Sequence, residues 1–233
     1  MTTPALSPQP VSILVDDTQS VSGLLQVPSQ AIACYVLAHG AGAGMTHPFM
    51  QDIADALAAR GIATLRYQFP FMEKGTKRPD SPKLAQATVR AAVAQAARML
   101  PGVILIAGGK SFGGRMTSQA QAASPLPGVH GLAFLGFPLH PAGKPSDERA
   151  RHLTDVQTPM LFLQGTRDEL ADMALAQTLV ERLGERATLK LFADADHSFH
   201  VRKRSGRTDS QVIGDLSDAL TDWFGARLAA SRP

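Results

Sequence analysis

Along the 233-residue chain, short runs of consecutive apolar residues alternate with segments whose apolar positions recur at three- and four-residue spacing. The first kind of run predicts strands and the second amphipathic helices, so the alternation reads as an α/β domain on a largely parallel sheet. Eight strands are predicted, at 11–16, 21–27, 32–38, 62–67, 103–108, 129–135, 160–164 and 188–192. The first two are close together and partly polar, as in an antiparallel edge hairpin, whereas those that follow are continuously apolar, as in strands covered on both faces. Helices are predicted at 47–59, closing at Gly61, and at 82–100, where Ser81 caps and Pro82 occupies the first turn. Three more follow at 112–123, at 171–183 before Gly184, and at 209–228, with Trp223 and Phe224 expected as core contacts. The stretches 68–83 and 137–153, which contain proline and glycine, are expected to form loops above the sheet, too short for a lid domain.

A hydrophobic content of 44% supports one domain over residues 1–233, with the proline-containing segment 1–10 expected to be flexible. That segment lacks the basic and apolar regions of a signal peptide, and no apolar stretch reaches a membrane span of about 18 residues. A cytoplasmic protein without membrane contact is therefore expected. The single cysteine, Cys34, lies in an apolar run and reads as a buried strand residue. The net charge of +3 gathers in Lys74, Lys77 and Arg78 and in Arg202, Lys203, Arg204 and Arg207. Neither cluster is interleaved with aromatic residues, so no nucleic-acid partner is expected. No His or Cys pair has ligand spacing apart from His197 and His200, and neither metal nor cofactor is expected.

The chemistry concentrates in 103–116, VILIAGGKSFGGRM, where an apolar strand runs into Gly109-Lys110-Ser111-Phe112-Gly113 and then a helix-compatible segment. This is the setting in which GxSxG lifts a serine hydroxyl above a sheet as a nucleophile. The same residues contain the GK[ST] element of a phosphate loop, but GxxxxGK[ST] needs glycine where the chain has Ile104. A dinucleotide turn also fails, since GxGxxG meets Met45 when begun at Gly40 and His47 when begun at Gly42.

A serine nucleophile needs a base within hydrogen-bond reach and a third group to orient that base. Asp168 follows the strand at 160–164, and His197 follows the last strand more closely than His200 does. Both fall at strand C-terminal ends, where open parallel sheets bind ligands, and the order Ser111, Asp168, His197 has the Ser, Asp/Glu, His sense. Ser111 is expected to attack an acyl carbonyl, His197 to shuttle its proton and Asp168 to hold the imidazole. The oxyanion donors are expected from the Phe112 amide and from Ala41 or Gly42 in the loop after the third strand, with His39 orienting that loop. Tyr67 and Phe71, with Phe69 and Pro70, either line an apolar substrate site or pack their loop down. His140 and Arg115 are expected to face the cleft.

Together these residues resemble the α/β-hydrolase superfamily, in particular its small, capless, dienelactone-hydrolase-like branch. The segments 109–115 (GKSFGGR), 66–75 (RYQFPFMEKG) and 195–199 (ADHSF) are similar to the family that includes a testis-expressed vertebrate protein and a KANSL chromatin-complex subunit. The resemblance implies an eight-stranded, mostly parallel sheet flanked by helices without a large cap, with nucleophile, acid and base at Ser111, Asp168 and His197. The chain carries serine where dienelactone hydrolases proper use cysteine. The implied activity is that of a serine hydrolase, a carboxylesterase or thioesterase on a small soluble acyl substrate, although the residues do not choose between ester, thioester and amide. Some relatives serve as complex subunits. The alternative is accordingly a non-catalytic module that kept the fold and binds a protein partner, with the basic segment 202–207 as a contact surface.

Overall fold

The first two strands, β1 (Gln9–Asp16) and β2 (Gln19–Gln26), form an antiparallel hairpin at one edge of the sheet in the computed structural model, which describes residues 7–230. Beyond it lie β3 (Ala33–Ala38), β4 (Ile62–Tyr67), β5 (Ile104–Lys110), β6 (Val129–Leu135), β7 (Met160–Gly165) and β8 (Ala187–Phe192). The order across the eight-stranded sheet is β1-β2-β4-β3-β5-β6-β7-β8. From β4 onward every pairing is parallel.

The strand period of two divides the core. On β3, Cys34, Val36 and Ala38 enter one apolar cluster while Ala33, Tyr35 and Leu37 enter the other. The first cluster is closed by α3 (Pro82–Met99), α4 (Phe112–Ala123) and α5 (Met173–Leu183), through residues such as Val89, Met116 and Leu179. The second is closed by α1 (Pro48–Ala58) and α6 (Asp209–Ala230), through Ile53, Leu57, Leu216 and Phe224. Trp223 and Phe224 pack in this core. The expected α/β-hydrolase architecture is thus present, with no cap domain among the described residues.

The helix starts are set by side chains that satisfy otherwise orphaned amides. Ser81 Oγ accepts from the Leu84 amide at 3.4 Å, Asp172 Oδ1 from Leu175 at 3.0 Å, and His47 Nδ1 from Phe49 at 3.3 Å. Among the described residues no helix is long and apolar enough to cross a membrane. Cys34 is buried, and desolvation pushes its thiol pKa up to about 12.

Several expectations need correction. The segment 1–10 was expected to be flexible, yet Gln9 and Pro10 already pair with Leu25 and Leu24 in β1; residues 1–6 lie outside the described residues. The stretch 68–83 holds a one-turn helix, α2 (Pro70–Glu73), and 137–153 runs into a 3-10 segment, Glu148–Asp155. Pro70 presets the first turn of α2, and four residues are too few to show a helical period. β5 continues two residues past its expected end, because Gly109 and Lys110 keep pairing with Phe134 and Leu135.

Candidate active site

The C-terminal end of β5 delivers Ser111 on a sharp turn into α4. Its backbone sits at φ 50° and ψ −115°, a region that non-glycine residues rarely occupy. Strain of this kind is of order 1–3 kcal/mol and persists only where the surroundings enforce it. Here the Ser111 amide donates to Leu135 O at 3.1 Å, and its carbonyl accepts from Arg115 N at 3.1 Å in the first turn of α4. The flanking glycines permit the turn: a Cβ at Gly109 would lie 2.2 Å from Ala38 O, and one at Gly113 2.5 Å from His39 O.

β7 and β8 supply the partners. Ser111 Oγ donates to His197 Nε2 at 2.8 Å, and His197 Nδ1 donates to Asp168 Oδ2 at 2.7 Å. The Asp168 carboxylate is fully buried, while the His197 side chain retains 25% of its exposure. Two further donors hold that carboxylate, the Gln164 amide on Oδ2 at 2.5 Å and the Leu170 N–H on Oδ1 at 2.8 Å. The His197 loop is bracketed by left-handed residues, Asp194 (φ 58°) and Phe199 (φ 62°). Asp196 staples it internally, its Oδ1 accepting from the amides of Ser198 at 2.8 Å and His200 at 3.0 Å. His200, the rejected alternative base, points elsewhere and pairs with Asp209 at 2.7 Å.

The loop after β3 passes close to the elbow, so that a Cβ at Gly40 would sit 3.7 Å from Ser111 Cβ. Among the described residues the amides of Ala41, Gly42 and Phe112 donate to no protein acceptor, which leaves them available to a ligand. His39 braces this loop from below. Its Nδ1 donates to Gly40 O at 2.7 Å and its Nε2 accepts from the Phe69 amide at 2.9 Å. Burial, partly opposed by the backbone groups of Gly40 and Ala43, holds the imidazole neutral with a pKa lowered to about 4.

A cleft of about 460 Å³ opens over these groups, bounded by Gly40, Ala41, Gly42, Ala43, Lys110, Ser111, Leu170, His197 and Ser198, and by His47, Phe49 and Met50 at the start of α1. Tyr67 and Phe71, for which lining and packing were both open, and His140 and Arg115, expected to face the cleft, are not among the residues that bound it. Tyr67 and Phe71 are buried in the core, where Phe71 packs edge-on to His39 and Phe112 and Tyr67 edge-on to Phe69. They pack the loop down, because the chain after β4 turns under the His39 ring rather than over it. His140 is buried beside Asp172, accepting its amide at 2.8 Å, in a separate depression on the far side of Asp168. Arg115 lies one turn into α4 with its guanidinium 6.0 Å over the Phe112 ring.

A second serine–histidine contact, Ser118 Oγ to His152 Nε2 at 2.7 Å, lacks the other requirements of a nucleophile. Ser118 is fully buried in mid-helix and also bonds Arg115 O at 2.9 Å, and no carboxylate among the described residues bonds His152. Sequence reasoning passed over Gln164, Lys110 and the cleft wall from α1. The first looked like ordinary strand, and the second was weighed only as part of a phosphate loop. Phe49 and Met50 in the wall carry a usable signal, being apolar side chains in the first turn of a helix that starts above the sheet.

Dienelactone hydrolase from Anabaena variabilis superposes with a TM-score of 0.77 at 22% identity, covering 94% of this chain and 98% of that one. XC6422 from Xanthomonas campestris, described as an α/β serine hydrolase without lid, gives 0.70 at 22% identity over 93% and 95%. Est1E from Butyrivibrio proteoclasticus, solved with ferulic acid, gives 0.75 at 15% identity over 94% and 99%. At these identities the likeness is one of fold. Residues 31–225 match the family described as alpha/beta hydrolase domain, a span running from β3 to α6, and the chain belongs to that family.

Proposed function

We propose that this protein is a serine hydrolase that cleaves carboxylic esters or thioesters of small acyl groups through an acyl-enzyme. One observation carries the reading: an unbroken run of hydrogen bonds from Ser111 Oγ through the His197 ring to the buried Asp168 carboxylate, opening on a cleft. Asp168 can only accept, so His197 carries its proton on Nδ1 and leaves Nε2 as the base. Ser111 Oγ attacks the acyl carbon while His197 Nε2 takes its proton. The tetrahedral oxygen is met by the amides of Phe112 and of Ala41 or Gly42, with the N-terminal end of α4 adding its dipole. His197 then returns the proton to the leaving oxygen or sulfur, and water repeats the sequence to free the acid.

The cleft walls favour a short apolar acyl or alcohol group. Phe49 is stacked on Phe199 with centroids 5.8 Å apart, and Met50 and Leu170 add apolar surface. The likeness to a dienelactone hydrolase and to Est1E, the latter solved with ferulic acid bound, supports a small ester-type substrate for this chain as well. The buried lone cysteine supports a reducing, cytoplasmic setting.

A fluorophosphonate probe tests the reading directly. The wild type is expected to be labelled at Ser111 and to hydrolyse p-nitrophenyl acetate, and Ser111→Ala to do neither. A folded wild type that resists the probe refutes it.

A further inference from the structure

Lys110 is the last residue of β5 and the immediate neighbour of Ser111, and its side chain does not run out to solvent. Its Nζ reaches across the end of β6 and donates to the backbone carbonyl of His197 at 2.5 Å. Gly136, which follows β6 at φ 67°, leaves the necessary room: a Cβ there would lie 3.1 Å from Lys110 Nζ, 3.4 Å from His197 O and 3.5 Å from Asp168 Oδ2. The ammonium, the base's carbonyl and the acid therefore surround one point.

The other hydrogen bonds of the His197 loop stay on its own side of the site. Some run within the loop among Asp196, Ser198, Phe199 and His200. Others reach the chain after β7, through Arg167 N to Ala195 O at 2.9 Å, Asp194 N to Thr166 Oγ1 at 2.9 Å, Arg167 Nη1 to Asp194 O at 3.2 Å and His197 Nδ1 to Asp168 Oδ2, or reach the first residue of α6 through the bonds of His200 and Val201 to Asp209. Apart from the Ser111–His197 contact itself, the Lys110 bond is the one that ties this loop to the elbow among the described residues. A buried ammonium is also expensive to keep. Lys110 makes no ion pair within 4.0 Å among the described residues, and such a group destabilises unless it serves another purpose.

We propose that Lys110 is a positioning residue: by clamping the carbonyl of His197 to the strand end that carries Ser111, it fixes the distance between nucleophile and base. The proposal rests on the acyl-transfer reading above. The groups facing the ammonium are Asp168 after β7 and Asp196 and His197 after β8, with the Phe199 ring 5.7 Å away; the chain after β6 offers Gly136, and His47 borders the same cleft. Burial outweighs the attraction of Asp168 and Asp196 and lowers the Lys110 pKa to about 8. The ammonium is thus charged at neutral pH, and its charge-assisted bond weakens to an amine bond as pH rises through about 8.

Lys110→Met keeps the stem and removes the donor, and Lys110→Arg keeps a donor whose charge does not titrate. A misplacement near 1 Å costs about 10²-fold in rate, so Lys110→Met is expected to lose about that factor in kcat and in fluorophosphonate labelling rate, with KM little changed. Loss of a buried charge leaves its melting temperature equal or higher. Lys110→Arg should recover at least about tenfold of that loss and lack the alkaline decline expected of the wild type near pH 8. A folded Lys110→Met with wild-type kcat overturns the proposal, as does an arginine variant no better than the methionine one. If the methionine variant does not fold, the arginine variant decides alone, and a wild-type alkaline decline in it overturns the clamp. An unlabelled wild type refutes the hydrolytic reading instead, which separates the two failures.

Discussion

Replacing Gly113 by alanine adds one methyl group at a crowded point of the elbow. That Cβ would lie 2.5 Å from His39 O, 2.7 Å from Ala38 Cβ and 2.8 Å from Ala38 C, where 3.4 Å is an ordinary contact, a shortfall of about 0.9 Å at the nearest atom. Nothing there yields easily. The neighbours are backbone or Cβ atoms of β3 and its following loop, and the His39 ring is pinned at both nitrogens. The strain must therefore push the start of α4, with Ser111 and the Phe112 amide, away from Ala41 and Gly42. Overpacking of this size costs about 1–3 kcal/mol, which for a chain of this length lowers the melting temperature by about 2 to 12 °C. Displacement approaching 1 Å lowers the acylation rate by about 10²-fold. Fluorophosphonate labelling under pseudo-first-order conditions reads the rate, and differential scanning fluorimetry reads the stability. Gly42→Ala is the control, because a Cβ there meets nothing within 4 Å and should change stability by no more than about 0.5 kcal/mol. A Gly113→Ala protein that melts and labels as the wild type does would refute the steric account of the elbow.

Gln164→Ala removes a donor from the Asp168 oxygen that orients His197; hydrogen bonds to charged groups contribute about 1.5–3 kcal/mol, and we expect kcat to fall about tenfold with KM nearly constant in steady-state ester hydrolysis. Unchanged kcat would exclude Gln164 from the orienting chain. Acid should weaken the fold through His39, whose folded pKa of about 4 lies below the ordinary 6.5, so the unfolded chain gains a proton first as pH falls. The stability that is complete above pH 6.5 is then lost on the way down to about 4, by roughly 3 kcal/mol. Urea titrations across that range should show His39→Gln with a correspondingly shallower loss, and parallel curves for the two proteins would contradict the burial argument.

The strands and the longer helices were legible because strands covered on both faces must be continuously apolar and the amphipathic helices announce their period, whereas the order of the strands across the sheet was not read from the sequence. The residues of the proposed triad could be placed for a related reason. Ser111, Asp168 and His197 each lie within five residues of a strand end, and parallel strands carry all such ends to one rim. What could not be read was direction within a loop. Phe69 and Phe71 are as apolar as Phe49, yet the first two turn under His39 while the third borders the cleft, a difference made by packing across β3 and α4. Gln164 was hidden because its partner Asp168 Oδ2 comes back to it only through the turn after β7, and Lys110 because the carbonyl of His197 adjoins it only once β5 and β8 bring their ends to one rim.

The uncovered mouth above Ser111 has a bearing on what the acyl group meets next. With no flap among the described residues to sort arrivals, dissolved methanol or another slight alcohol would compete with water for the serine of the proposed acyl-enzyme in proportion to its abundance, and a fresh ester would leave in place of the acid.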